Sequence, residues 1–271
     1  RGGLDALSGH VSKHRDGLRL GDSGKVDEAL TAKKPFYLHL CHNAPHFPLQ
    51  APADAIAKFR GQYKAGWGAL RDARIRRQRE MGLIDAAWEK SPRPETIKLW
   101  KDHTPEEQDR FDHLMAVYAA TVHRMDRAVG DLVAGLKQRG ELENTLILFM
   151  SDNGGNAESG PKGRSEGDPS QGKSDWFCGE SWAFLQNAPF RKYKHFNHEG
   201  GIATPLTTRL KARQLTGFGQ LAAHPFADVL CAVSALYHAT ARNGSSRRVF
   251  AMQIIGGKHE ASSIHYRWCG T

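Results

Sequence analysis

Three short stretches carry side chains suited to acid–base, metal and anion chemistry. His46 lies in Asn43-Ala-Pro-His-Phe-Pro48, where flanking prolines stiffen the backbone. An imidazole titrates near neutrality, so it suits an acid that must protonate a leaving oxygen. Asp152-Asn153 offers one carboxylate and one amide oxygen, the hard donors that Ca²⁺ or Mg²⁺ prefers, although two donors do not fill a shell of about six to eight. Lys194 lies just before Gly200-Gly201, where backbone can approach a ligand closely and an ammonium can neutralise an oxyanion. His195 and His198 share that bend and are candidates to bind the anion or to cap the chain. Each stretch also has a plain structural reading. Asp-Asn-Gly-Gly is an ordinary turn sequence, His46 fits a loop histidine bonded to a carbonyl, and Lys194 fits a solvated surface lysine. Ser151 and Ser181 have no Gly-x-Ser-x-Gly context, which leaves a serine-hydrolase reading without support.

The elements that must position these residues are readable. Pro35-Phe-Tyr-Leu-His-Leu-Cys41 is a short apolar run that predicts a buried strand. The prolines after it forbid a central ladder, so His46 belongs on a loop at the strand's carboxyl end. Segments 53–60 and 65–82 look helical, the second heavily basic, and 91–103 is a proline-containing connector. Thr104-Pro-Glu-Glu107 reads as a capping box with proline at the first helical position. Phe111, Leu114, Met115, Tyr118, Val122, Met125, Val129, Leu132 and Leu136 then recur at three- and four-residue steps, with Gly140 as the stop. Thr145-Leu-Ile-Leu-Phe-Met150 is a second apolar strand. A strand, long helix, strand order predicts parallel strands with a crossover helix, and ligands of such sheets collect beyond the carboxyl ends. His46, Asp152 and Asn153 are thereby assigned to one crevice. Residues 156–181, rich in Gly, Ser, Pro and charge, predict a long exposed loop. Beyond Thr207 the character changes. Short apolar stretches such as Asp228–Tyr237 remain, without a repeat, linker or motif.

Composition narrows the partners. The 271 residues are 39% hydrophobic and 25% charged, an ordinary globular balance. A formal charge of +9 favours anionic partners, with basic density at Arg71–Arg79 and Arg242–Arg248. No aromatic-interleaved basic motif or nucleic-acid module is present, so a nucleic-acid partner is not expected. Cys41, Cys178, Cys231 and Cys269 are too far apart to outline a zinc site or a disulfide framework. No apolar run reaches the ~18 residues needed to span a bilayer.

Taken jointly, four stretches are similar to the sulfatase family, in its arylsulfatase branch. They are Pro35-Phe-Tyr-Leu-His-Leu with Asn43-Ala-Pro-His-Phe-Pro-Leu-Gln-Ala-Pro52; Tyr63-Lys-Ala-Gly-Trp-Gly-Ala-Leu-Arg71 with Met81-Gly-Leu-Ile-Asp85; Tyr118 to Asp152 with Asn153-Gly-Gly155; and Pro189-Phe-Arg-Lys-Tyr-Lys-His-Phe-Asn-His-Glu-Gly-Gly-Ile-Ala-Thr-Pro-Leu206. The likeness covers about residues 33–206, with 1–32 poorly matched and 207–271 divergent. It implies an alkaline-phosphatase-like α/β fold, with a mixed, mostly parallel sheet flanked by helices and here incomplete. It also implies a sulfuric ester hydrolase acting on a small anionic sulfate ester. Asp152 and Asn153 would be two calcium ligands, Lys194 would hold a sulfate oxygen, and His198 would join the substrate contacts. His46 would touch the sulfate and protonate the departing alcohol.

The family's nucleophile is a formylglycine made from cysteine in a Cys-x-Pro-Ser-Arg segment, and hydrated, it attacks sulfur and later eliminates sulfate. None of the four cysteines here has that context, and no acidic calcium pair is recognisable in residues 1–32. The expectation is an internal fragment with a partial calcium site and no turnover of its own. A periplasmic or secreted location is expected where an upstream leader exists. The other readings are a non-catalytic binder of sulfated or phosphorylated ligands, and a related phosphodiesterase or phosphonate hydrolase; the Asn-Ala-Pro-His-Phe-Pro and Lys-x4-Glu-Gly-Gly pair favours a sulfatase over that relative.

Overall fold

The computed structural model describes residues 6–11, 27–28, 30–32, 37–172, 174–209, 224–225 and 248–254. Strand β1 is Ala6–Val11 and β2 is Tyr37–His42. The predicted apolar run thus forms its strand. Helix α1 (Ala53–Ala57) is shorter than its predicted span, and α2 (Gly66–Glu80) buries Trp67, Arg71 and Ile75 in spite of its basic sequence. Arg71 is stabilised by stacking over Phe184 at 4.3 Å, with its guanidinium donating to the carbonyls of Phe184 and Pro189 at 3.1 and 2.9 Å. Buried charge is tolerable when its donors are satisfied in this way.

Helix α3 spans Pro105–Gln138. Its start is the predicted capping box: the Glu107 amide donates to the Thr104 hydroxyl at 3.2 Å, and the Glu107 carboxylate accepts from the Thr104 amide at 3.4 Å. His103 and Lys162 hold the same carboxylate at 2.8 Å each, and the hydrogen bond from Lys162, then that from His103, pulls its pKa down to about 2. The buried stripe Phe111, Leu114, Met115, Met125, Leu132 and Leu136 follows the predicted spacing. Leu132 and Leu136 pack on Leu38, Leu40 and Ile147 of the sheet. The amino-terminal half instead enters a larger core with Trp67, Ile97, Trp182 and Tyr193.

Strand β3 is Thr145–Ser151. The segment predicted as exposed loop contains the antiparallel pair β4 (Arg164–Glu166) and β5 (Asp175–Phe177), and it buries Trp176 and Cys178 at 5% exposure each. The expectation of a wholly exposed loop is corrected: Trp176 supplies enough apolar surface to pull the hairpin onto the core. Cys178 is a free, buried thiol, and burial pushes it up to about 12, so it is not reactive.

Helix α4 (Gly179–Gln186), the single turn α5 (Glu199–Ile202), β6 (Ala203–Thr204) and β7 (Leu206–Arg209) follow, then β8 (His224–Pro225) and β9 (Arg248–Ile254). Strands order β1-β2-β9-β3-β7, with β1, β2, β9 and β3 mutually parallel and β7 antiparallel to β3. The sheet is therefore mixed and mostly parallel, as expected. However, β2 and β3 are not neighbours: β9 lies between them. It is not among the predicted strands, although Val249-Phe-Ala-Met-Gln-Ile-Ile255 is an apolar run of strand length. The stretch Asp228–Tyr237, most of the basic run at 242–248, Cys231 and Cys269 lie outside the described residues.

Candidate functional site

The site is assembled from the loop after β2, the loop after β3 and the bend before α5. After β2 the chain turns sharply, the His46 amide donating to the Asn43 carbonyl at 3.0 Å. Leu49 and Ala51 then tie the loop to Trp176 and Pro169 by amide-to-carbonyl bonds of 2.9 and 3.1 Å. The His46 ring lies 4.1 Å from the Phe47 ring, which stacks on Phe177 of β5 at 4.1 Å. His46 Nδ1 is 2.7 Å from the Phe47 carbonyl oxygen. A carbonyl only accepts, so Nδ1 carries the proton and Nε2 is the outward nitrogen. That Nε2 faces Lys194 Nζ at 3.3 Å.

Lys194 is held from below by main chain. Its amide donates to the Gly155 carbonyl at 3.2 Å, and the Gly154 amide donates to the Gly201 carbonyl at 3.1 Å. Asn187 clasps both loops: its Oδ1 accepts from the Gly155 amide at 2.8 Å and its Nδ2 donates to the Lys192 carbonyl at 3.0 Å. The approach demands glycine at 154, where a Cβ would strike the Gly200 carbonyl oxygen. Lys192 and His195, on either side of Lys194, hold left-handed φ values of 67° and 76°. The Lys194 side chain is 13% exposed and lies 3.5 Å from Glu158 Oε1. The same oxygen is 2.7 Å from His195 Nε2. Partial burial alone would raise the Glu158 carboxyl, but hydrogen bonding to His195 and the Lys194 charge outweigh it and hold it below the usual range.

Among the sequence-predicted residues, His46 and Lys194 are in contact. Asp152 and Asn153 are half-buried on the loop that Gly154 and Gly155 lash to the Lys194 bend. His198 stands apart: it is the exposed residue preceding α5, and its main-chain carbonyl accepts from Gly201 at 2.7 Å while its side chain makes no hydrogen bond or ion pair among the described residues. Glu158 and Asn187 are the residues that sequence reading missed. Glu158 sits in a polar run without a motif, and the only local cue for Asn187 is its place at the end of α4.

The described residues contain no group of three or more His, Cys, Asp or Glu able to hold a metal ion. Asp152 and Asn153 have the right donor chemistry for calcium but fill only a minor share of its shell. They do not make a calcium centre by themselves.

A carboxyl-end crevice in a mostly parallel sheet, with a half-buried lysine against an imidazole, has the chemistry to hold an anion. The sulfatase family model matches residues 25–220, and the chain belongs to that family. Its fold is accordingly alkaline-phosphatase-like. Over 191 residues it is 37% identical to an arylsulfatase of Klebsiella aerogenes, covering 65% of this chain and 40% of that protein. Over 198 residues it is 35% identical to an uncharacterised sulfatase of Schizosaccharomyces pombe, covering 64% of this chain and 34% of that protein. The chain thus spans well under half the length of these relatives. Among solved structures, Ps i-CgsB in complex with k-i-k-neocarrahexaose aligns with a TM-score of 0.37 at 26% identity, over 70% of this chain and 26% of that one.

Proposed function

We propose that this chain supplies the sulfate-gripping portion of a sulfuric ester hydrolase that cleaves small anionic sulfate esters of the arylsulfatase type. The observation that carries the reading is the contact of Lys194 Nζ with His46 Nε2 at the carboxyl end of β2. The Lys194 ammonium binds an ester oxygen and, in a half-buried setting, neutralises its charge more effectively than water does. His46 is oriented by its bond to the Phe47 carbonyl, so Nε2 is the nitrogen that would take up a second proton and pass it to a departing alcohol.

Asp152 and Asn153 would contribute two oxygen donors to a calcium ion, which when bound adds positive charge against the sulfate oxygens. His198 is kept as a peripheral substrate contact. The family's formylglycine nucleophile would come from a Cys-x-Pro-Ser-Arg segment, absent from these 271 residues, so this polypeptide alone should bind without turnover. That sequence fact also favours a second reading, a non-catalytic binder of sulfated ligands.

The two readings separate on one assay. A protein that contains this chain together with a Cys-x-Pro-Ser-Arg segment should hydrolyse an aryl sulfate. Lys194→Ala and His46→Ala should each lower kcat/KM by at least about 100-fold, the scale of losing an oxyanion donor or a general acid. Unchanged turnover in both variants would remove these residues from the site. Calorimetric binding of phenyl sulfate without any hydrolysis would leave the binder.

A further inference from the structure

The reading above does not use Glu158, yet its carboxylate is part of the same charged cluster. Glu158 Oε1 lies 3.5 Å from the ammonium that grips the anion and 2.7 Å from His195, and Lys194 in turn is 3.3 Å from His46. We propose that Glu158 is a specificity-determining residue that tunes this site to singly charged sulfate monoesters against doubly charged phosphate monoesters. The inference rests on the sulfate-ester reading and adds a reason for its selectivity.

The argument is a matter of charge. A sulfate monoester carries one negative charge, whereas a phosphate monoester with a second pKa near about 6 carries two in mildly alkaline solution. The two groups are otherwise alike, tetrahedral and rich in acceptor oxygens, so hydrogen-bond geometry separates them poorly. A fixed carboxylate beside the gripping lysine places a negative potential on whatever anion binds there. A dianion feels that potential twice over, a monoanion once. Lys194 attracts both, but Glu158 returns part of that attraction, and it returns more from the phosphate ester. The carboxylate keeps its charge even in mild acid, because its hydrogen bond to His195 and the Lys194 charge hold its pKa down against the opposing effect of burial. At 31% side-chain exposure it is only partly screened. A unit charge a few ångströms away, in an effective dielectric of about 20 and discounted for solvent, corresponds to roughly tenfold in relative affinity.

Glu158 also has the geometry for a fixed role. Its amide is held by the Asn156 side chain at 2.8 Å, and one carboxylate oxygen is shared between Lys194 Nζ and His195 Nε2. These contacts fix the carboxylate beside Lys194 Nζ.

Competition calorimetry of phenyl sulfate and phenyl phosphate on the full chain at about pH 8 tests this. Glu158→Gln should raise the phosphate-to-sulfate affinity ratio about tenfold, and Glu158→Asp, which keeps the charge, should stay within about twofold of wild type. A change of shape alone would weaken both esters together and leave the ratio where it was, and that result overturns the proposal. If Glu158→Gln does not fold, wild type decides by sign: at about pH 8 it should hold phenyl sulfate more tightly than phenyl phosphate, and the preference should shrink towards about pH 5, where both esters carry one charge. His46, His195 and Lys194 are the other charged or titratable groups facing Glu158 or the lysine, and any charge they gain acts equally on two monoanions. Tighter binding of phenyl phosphate at about pH 8, or a ratio that stays constant with pH, refutes the idea. Wild type that binds neither ester sinks the sulfate-ester reading along with this one, whereas tight phenyl sulfate binding with an unmoved ratio in Glu158→Gln sinks the role of Glu158 alone.

Discussion

The two hydrophobic cores among the described residues are built differently. The helical core is aromatic: Trp67 meets Trp100, Phe111 and Trp182 edge-on, with ring centroids 5.0, 5.1 and 5.6 Å apart. It reaches the site directly through Tyr193, 1% exposed and next to Lys194. The sheet core is small and aliphatic, with Leu38, Leu40 and Ile147 against Leu132 and Leu136. The sheet also buries His42, level with Val11 and Ile254 on the flanking strands, whose Nε2 has no hydrogen-bond partner among the described residues. The difference teaches that the lysine wall of the site stands on dense, interlocked packing, while the strand that leads to His46 carries a polar liability.

The strongest way to break that contrast is Trp182→Ala. It empties the centre of the aromatic core and should cost about 3–5 kcal/mol in denaturant unfolding. A loss no larger than that of a surface substitution would show that the indoles do not support the Lys194 side.

His42→Leu sharpens the other half of the comparison. Burial holds the ring down to about 4 from its ordinary 6.5, so the folded protein keeps it neutral while the unfolded chain takes up a proton. Between those two values the unfolded state binds more protons. Stability should therefore rise with pH across the window and be fully present above about 6.5, a swing of up to about 3 kcal/mol. The leucine variant should show a flatter urea midpoint between pH 7 and pH 4 than wild type. Glu107 acts over a lower range, from 4.5 down to about 2: its depressed carboxyl adds stability above that range and loses it as pH falls through it. The two effects are thus separable.

The smallest expected effect is Thr104→Ala, which removes the cap of α3 and should lower stability by about 1 kcal/mol by the same assay. Because α3 spans both cores, the loss should appear in a single cooperative transition.

Local signals made much of this legible. Thr104 and Glu107 announced where α3 starts, the stripe from Phe111 to Leu136 announced which face it buries, and prolines 45 and 48 announced that His46 leaves the sheet. The contact of His46 with Lys194 joins residues 148 positions apart, and only the likeness of whole stretches to a family pointed to it. The apolar run at Val249–Ile255 was passed over as a strand, and the place of β9 between β2 and β3 depends on long-range pairing that no local pattern shows. Trp176 was misassigned with its loop because composition averages over a single buried indole. Glu158 and Asn187 escaped because each is a lone polar residue whose partners come from remote turns.

The left-handed φ values of Lys192 and His195 have a thermal consequence. A residue with a Cβ in that region costs on the order of 1 kcal/mol or more, so the few residues around Lys194 are wound against their own preference. Tyr193 stays anchored in the indole core, so warming should loosen only the exposed His195 side of this turn ahead of α3. An anion held at Lys194 as proposed should then be let go on heating while the helices beneath still report a folded protein.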